Sequence, residues 1–120
     1  MEIEIRPFTL DDADVVAGHI NESSDAWPSN GLNQGVRMGG DQVREWFENN
    51  SWEVYLGWWH DELVGFSSLT NREFDPSVAY IPLLNVLPRY HGRKAGKKLL
   101  CHCVERAIEK GFRRLDLATW

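Results

Sequence analysis

Residues 86–100 read Val86-Leu87-Pro88-Arg89-Tyr90-His91-Gly92-Arg93-Lys94-Ala95-Gly96-Lys97-Lys98-Leu99-Leu100, and the fold turns on this stretch. An apolar, strand-like run ends at Pro88, a turn containing Gly92 follows, and an amphipathic helix opens with Arg93, Lys94, Lys97 and Lys98. A helix N-terminus carries partial positive charge from its unpaired N–H groups, so first turns favour Asp and Glu. The earlier helix obeys this, opening Leu10-Asp11-Asp12-Ala13-Asp14, whereas the later one opens with four cations. An anion seated on that end, most simply a phosphate, offsets the repulsion. A solvated basic face is the competing reading.

The charge distribution favours the anion site. Residues 1–88 carry 15 acidic and 4 basic side chains, a net −11, whereas residues 89–120 carry 9 basic and 3 acidic, a net +6. An acidic body with one basic end argues against a general nucleic-acid surface and for a localised pocket. At 120 residues and 42% hydrophobic the chain suits one domain, spanning 1–120, with a single core. Its two cysteines, Cys101 and Cys103, sit two apart on the expected helix, about 200° from each other, so they share neither a disulfide nor a metal. Cys103 falls on the apolar stripe. No signal-peptide pattern and no membrane-length apolar run are present, so a cytoplasmic protein with no membrane partner is expected.

Taken in order, Glu2 to Arg6 alternate as a half-buried strand, and Thr9 with Asp12 caps a helix over about 10–22. Residues 23–34 read as a loop in which Trp27 either covers a cleft or packs down. Asp41 is the expected cap of a short helix bearing Val43, Trp46 and Phe47. Residues 52–70 form a hairpin turning at His60-Asp61-Glu62, with His60 an exposed turn residue rather than a ligand. Residues 78–87 form the most apolar strand, where Pro82 marks a bulge or a divergence of the neighbouring strand. Ala95, Leu99, Cys103 and Ala107, joined by Leu100, Val104 and Ile108, make the core face of the next helix; Gly111 ends it, and 113–120 is a final strand. The order is β-α-α-β-β-β-α-β, an α/β (α+β) fold with a mixed, mainly antiparallel sheet. Its last β-α-β is a parallel crossover, with the glycine turn at the strand's C-terminal end, where phosphates commonly bind.

With this order on the page, the chain resembles the GCN5-related N-acetyltransferase (GNAT) superfamily. Members read Val-x-Pro-x-Tyr-Arg-Gly-x-Gly-x-Gly-x-x-Leu-Leu and then a helix ending in a basic residue plus glycine, here Lys110-Gly111. His91 stands where the family has Arg or Gln, and Lys94 stands where it has a glycine; Gly96 matches. The resemblance implies acetyl-CoA as co-substrate. Its pantetheine arm would pair with the backbone of Leu84, Asn85 and Val86, and its pyrophosphate would be held across His91, Gly92, Arg93, Lys94, Ala95, Gly96 and Lys97. The implied reaction is direct acetyl transfer to a primary amine.

Family members continue past the fifth strand into a segment with a tyrosine that often protonates the leaving thiolate; this sequence stops at Trp120, before it. The resemblance therefore leaves three expectations open: a fragment needing that segment, two copies completing each other as a homodimer, or a catalytically silent CoA-binding module. Tyr80 and Glu53 are the acid/base candidates within the residues present, each equally readable as a structural side chain. Asn85 is a polar residue on a buried strand and needs a partner. No metal-ligand pattern occurs. The acidic body, with Glu22, Asp25, Glu53 and Glu73, would suit a cationic amine acceptor.

Overall fold

A computed structural model describes residues 2–25 and 38–117. Trp27, Pro28 and Gly31, and the last three residues of the expected final strand, lie outside the described residues. The elements are β1 (Glu4–Pro7), a 3-10 turn (Leu10–Asp12), α1 (Ala13–Asp25), α2 (Gly40–Asn50), β2 (Glu53–Trp59), β3 (Glu62–Asn71), β4 (Val78–Ile81), β5 (Leu84–Val86), a 3-10 turn (Pro88–Tyr90), α3 (Ala95–Glu109) and β6 (Arg114–Leu117). The six strands form one sheet in the order β1-β2-β3-β4-β6, with β5 also paired to β3. Every pairing is antiparallel except β4 with β6. The expected mixed, mainly antiparallel fold with flanking helices is the fold observed.

Each face of the sheet has its own cover. Val54, Leu56, Leu63 and Phe66 pack under Ala13, Val16 and Ala17 of α1 and Val43 and Phe47 of α2. The alternate residues face α3, where Ala95, Leu99, Cys103 and Ala107 are all buried. That four-residue stripe is the one read from the sequence, and burying a side chain of leucine size is worth roughly 1.5–3 kcal/mol. Burial thus outweighs the first-turn charges in holding α3. Leu99 closes against two glycines paired across β2 and β3, Gly57 and Gly65. A Cβ on Gly65 would stand 2.6 Å from the Asn85 carbonyl oxygen and 3.0 Å from Leu99 Cδ1, so only glycine lets strand and helix approach this closely.

Several local expectations are corrected. The helix read over 10–22 starts as a 3-10 turn and runs on to Asp25, so Ser23 is a buried helical residue and not loop. Val104 and Ile108, expected on the core face of α3, are exposed. The cap of α2 is Gly39, whose N–H donates to the Gln42 side chain at 2.6 Å; Asp41 lies inside the first turn. The Thr9–Asp12 pairing is present, with the Asp12 carboxylate accepting from the Thr9 N–H and hydroxyl, both at 3.0 Å. His60 and Asp61 both have positive φ, the two-residue turn that matches strand twist, so Glu62 already belongs to β3. No helix among the described residues is long and apolar enough to cross a membrane.

The expected strand 78–87 is two strands. Thr70 pairs with Tyr80, but Phe66 pairs with Asn85, so the register slips by one residue between them. Pro82 has no N–H to give the ladder. The extra residue is absorbed at Leu83, whose N–H donates to Ser68 Oγ at 3.0 Å while its carbonyl accepts from the Ser68 N–H at 2.9 Å. A buried serine hydroxyl thus takes the place of a backbone carbonyl. Before the bulge, β4 carries β6 on its other side; after it, β5 is paired with β3 alone among the described residues. The break at Pro82 is what opens the sheet.

Candidate functional site

On β5 the backbone alternates between its partner strand and the opening. Leu87 donates to the Val64 carbonyl at 3.0 Å and Leu83 accepts from Ser68, so with Asn85 between them these residues spend their backbone groups on β3. The same alternation turns the N–H and C=O of Leu84 and Val86 to the open edge. The Val86 carbonyl there meets His91 Nε2 at 2.9 Å. Leu84 and Val86 side chains pack toward α3, and the Asn85 side chain points to the opposite face.

The turn after β5 delivers α3 to this edge. Gly92 has φ +79° and Lys94 has φ +66°, the latter as N-cap of α3. A lysine therefore adopts the left-handed geometry that glycine supplies in the related pattern, at a cost of about 1 kcal/mol. The helix starts at Ala95, two residues later than the cations Arg93 and Lys94 suggested. Lys98 makes the first helical bond, to the Lys94 carbonyl at 3.1 Å, which leaves the N–H groups of Ala95, Gly96 and Lys97 without helical partners. A Cβ on Gly96 would meet nothing nearer than Val86 Cγ2 at 3.6 Å. The fold itself thus does not demand glycine at 96.

Of the cations around this turn, Lys98 pairs with Glu2 at 3.2 Å. Arg89 is committed elsewhere, to Glu62 and to Glu22 of α1, and Tyr90 Oη donates to Glu62. A groove of about 690 Å³ on the β1 flank of α3 is lined by Arg93, Lys94, Lys97 and Lys98 with Glu2 and Ile3. A second, of about 520 Å³, is lined by residues that include Phe8, Trp52, Glu53, Tyr55, His102 and Arg106. Neither is lined by β5, so the open strand edge and the basic groove are separate features joined by the first turn of α3.

The two acid/base candidates fall on opposite faces. Tyr80 pairs across to Thr70, on the α1 side of the sheet with Phe66 and Asn85, and the Arg72 guanidinium stacks 3.9 Å from its ring centre. Arg72 is itself held by Asp116 at 3.2 Å. Glu53 is on β2, separated from β5 by β3, on the α3 side. Burial alone would raise its pKa, but hydrogen bonds from Lys110, Tyr55 and Arg106 outweigh that and bring it to about 2. Arg106 Nε donates to it at 2.9 Å and Tyr55 Oη at 2.7 Å. Glu53 is thus a pinned anion tying α3 to β2. Among the described residues no cluster of three or more His, Cys, Asp or Glu could hold a metal.

Sequence reasoning missed His19 and Ser23. Asn85 Nδ2 donates to His19 Nε2 and to Ser23 Oγ, each at 3.0 Å, linking β5 to α1. His19 is 4% exposed, and burial pulls its pKa down to about 4, so the ring is neutral near pH 7. A polar residue four after a histidine on a helix is a visible spacing, but only the tertiary fold supplies Asn85 between them.

The acetyltransferase (GNAT) family model matches residues 16–120. The chain belongs to the GNAT family. Among curated proteins no sequence match is found. Among solved structures this GNAT chain is similar to a ribosomal-protein-alanine N-acetyltransferase from Brucella melitensis biovar Abortus 2308. The two share 16% identity and a TM-score of 0.78 over 99% of this chain and 81% of that one. An aminoglycoside acetyltransferase from an uncultured soil metagenomic sample gives 15% identity and 0.75 over 100% and 81%. A GNAT-family acetyltransferase from Staphylococcus aureus Mu50 gives 20% identity and 0.75 over 98% and 74%. These likenesses establish the shared GNAT fold.

Proposed function

We propose that this chain is an acyltransferase that moves the acetyl group of acetyl-CoA to a primary amine. The observation that carries the reading is the open edge of β5, where Leu84 and Val86 present backbone donors and acceptors, leading directly to the unpaired N–H groups of Ala95, Gly96 and Lys97. An extended amide-bearing arm matches the first feature as an added strand would. A pyrophosphate matches the second, with the uncrowded Gly96 and the basic groove beside it. When bound, acetyl-CoA supplies an activated acyl group as a thioester. The transfer forms an amide N–C bond, breaks the C–S bond and moves one proton from the amine to the departing thiolate. An outward N–H on β5 is suited to polarise the carbonyl oxygen. Tyr80 is the sequence candidate on the face opposite α3; Glu53, held ionised on the other face, is left to structure.

The acceptor class follows from the acidic body and from the relatives, one acting on a ribosomal-protein alanine and another on an aminoglycoside. Titration calorimetry with acetyl-CoA, paired with a thiol-release assay across aminoglycosides, N-terminal-alanine peptides and polyamines, tests the reading. Binding with release for at least one amine is expected; no binding overturns it.

One observation favours a second reading, a CoA-binding module that pairs with another chain. β6 has β4 as its one partner strand among the described residues, and Leu117 on it is 40% exposed, with Val104 and Ile108 also uncovered. Open apolar edges invite pairing with a second copy. Binding without release on every amine, from a chain that sediments as a dimer, supports that reading.

A further inference from the structure

The open edge of β5 has two sides. Leu84 and Val86 belong to the α3 side, where the helix and sheet are packed shut. Asn85 stands between them and projects to the α1 side, the face from which a second substrate can reach a group lying along the strand edge. Both Nδ2 hydrogens are spent on one helix, on His19 Nε2 and Ser23 Oγ at 3.0 Å each.

The state of the ring follows from the amide. The Asn85 NH2 can only donate, so the ring nitrogen that faces it, Nε2, accepts and the ring hydrogen lies on Nδ1, which has no hydrogen-bond partner. Nε2 is then a lone pair, and it can only accept. With its NH2 presented to α1, Asn85 keeps its Oδ1 on the other branch, where no described residue donates to it. Phe66, paired across from Asn85, packs edge-on against the imidazole with ring centroids 5.3 Å apart. The result is a fixed, unspent carbonyl acceptor beside the two outward-facing backbone positions.

We propose that the Asn85 side-chain carbonyl receives one N–H of the acceptor amine and aims its lone pair at the acyl carbon held along β5, with His19 and Ser23 as positioning residues that keep the amide from flipping. This rests on the acetyl-transfer reading above and adds the acceptor contact. A neutral acceptor suits the chemistry, because a carboxylate at this place would stabilise the ammonium form, which has no lone pair to attack with. A neutral, permanently desolvated imidazole suits it too, because a protonated one would turn the amide over and present NH2 to the amine.

The test uses the full chain with acetyl-CoA and whichever amine of the panel the wild type acetylates. Asn85→Ala is expected to raise the amine KM about tenfold or more while leaving the acetyl-CoA dissociation constant within about twofold. His19→Phe, which removes the ring acceptor, is expected to shift the amine KM the same way, and His19→Gln, which restores an acceptor oxygen, to recover part of it. Val16→Ala loosens α1 in the apolar core without touching the amide, and is expected to lower the melting temperature at unchanged amine KM. An Asn85→Ala variant with wild-type amine KM overturns the proposal and leaves acetyl transfer standing. If Asn85→Ala does not fold, equal amine KM values for His19→Phe and wild type overturn it. A wild-type chain that binds acetyl-CoA and acetylates no amine overturns the acetyl-transfer reading itself, and the acceptor contact with it.

Discussion

His91 Nε2 lies 2.9 Å from the carbonyl oxygen of Val86. A carbonyl only accepts, so the ring donates, and the turn that carries the unpaired N–H groups of α3 is fastened to the strand whose edge is open. The two are five positions apart in sequence, and no backbone ladder joins them. His91 therefore sets the spacing between the two halves of the proposed acetyl-CoA site. His91→Ala should weaken acetyl-CoA binding by roughly two- to tenfold, the worth of one hydrogen bond, whereas His91→Gln, which keeps a donor, should lose less. Titration calorimetry on both variants checks this.

Lys94 holds a left-handed conformation with φ +66° as N-cap of α3. Replacing it by glycine removes about 1 kcal/mol of backbone strain. Lys94→Gly should therefore raise the free energy of unfolding in urea by about that amount, while taking one positive charge from the basic groove. A drop in stability would show that the lysine side chain contributes more than its backbone costs.

Two glycines near β5 should behave oppositely. Gly96 has room for a Cβ, so Gly96→Val should fold yet bind acetyl-CoA at least about tenfold more weakly, because its methyls stand where a phosphate must approach. Gly65→Ala meets the Asn85 carbonyl at 2.6 Å and should cost about 1–3 kcal/mol of stability. Calorimetry separates the first effect and thermal unfolding the second.

Burial holds His19 neutral, with its pKa moved from 6.5 to about 4. Above pH 6.5 neither the folded nor the unfolded chain protonates this group, so it adds no pH dependence there. As pH falls from 6.5 toward 4 the unfolded state takes up the proton first, and stability should decline by a total of about 3 kcal/mol. Glu53 acts lower: its pKa is depressed from 4.5 to about 2, so its contribution is full above pH 4.5 and is lost as pH falls through 2. Urea unfolding at pH 7 and pH 4.5 should show the first loss, and His19→Gln should flatten it.

Glu53 binds α3 to β2 through Arg106, Lys110 and Tyr55. Glu53→Gln should lower stability by roughly 1 kcal/mol, as expected for a partly exposed ion-pair network. Its kcat for acetyl transfer should match wild type, because the carboxylate lies across β3 from the open strand edge. A selective fall in kcat at unchanged stability would return Glu53 to the acid/base candidates.

The sequence alone determined what depends on periodicity and on local backbone chemistry. The stripe Ala95, Leu99, Cys103 and Ala107 repeats every four residues and is buried throughout, and Gly111 with φ +82° closes α3 as a residue without a Cβ can. The glycine turn, the parallel crossover and the family resemblance were likewise legible in residues 86–111. What only the tertiary structure decided depends on contacts between distant segments. Pro82 announced an irregularity, but whether it bulged or splayed the strand rested on a serine hydroxyl at Ser68, far away in sequence. Ser23 looked like loop because its polarity is a local signal, and it is helix because Asn85 satisfies it in the interior. His19 carried no motif at all; its neutrality comes from burial between α1, Leu63 and Phe66, which no spacing encodes.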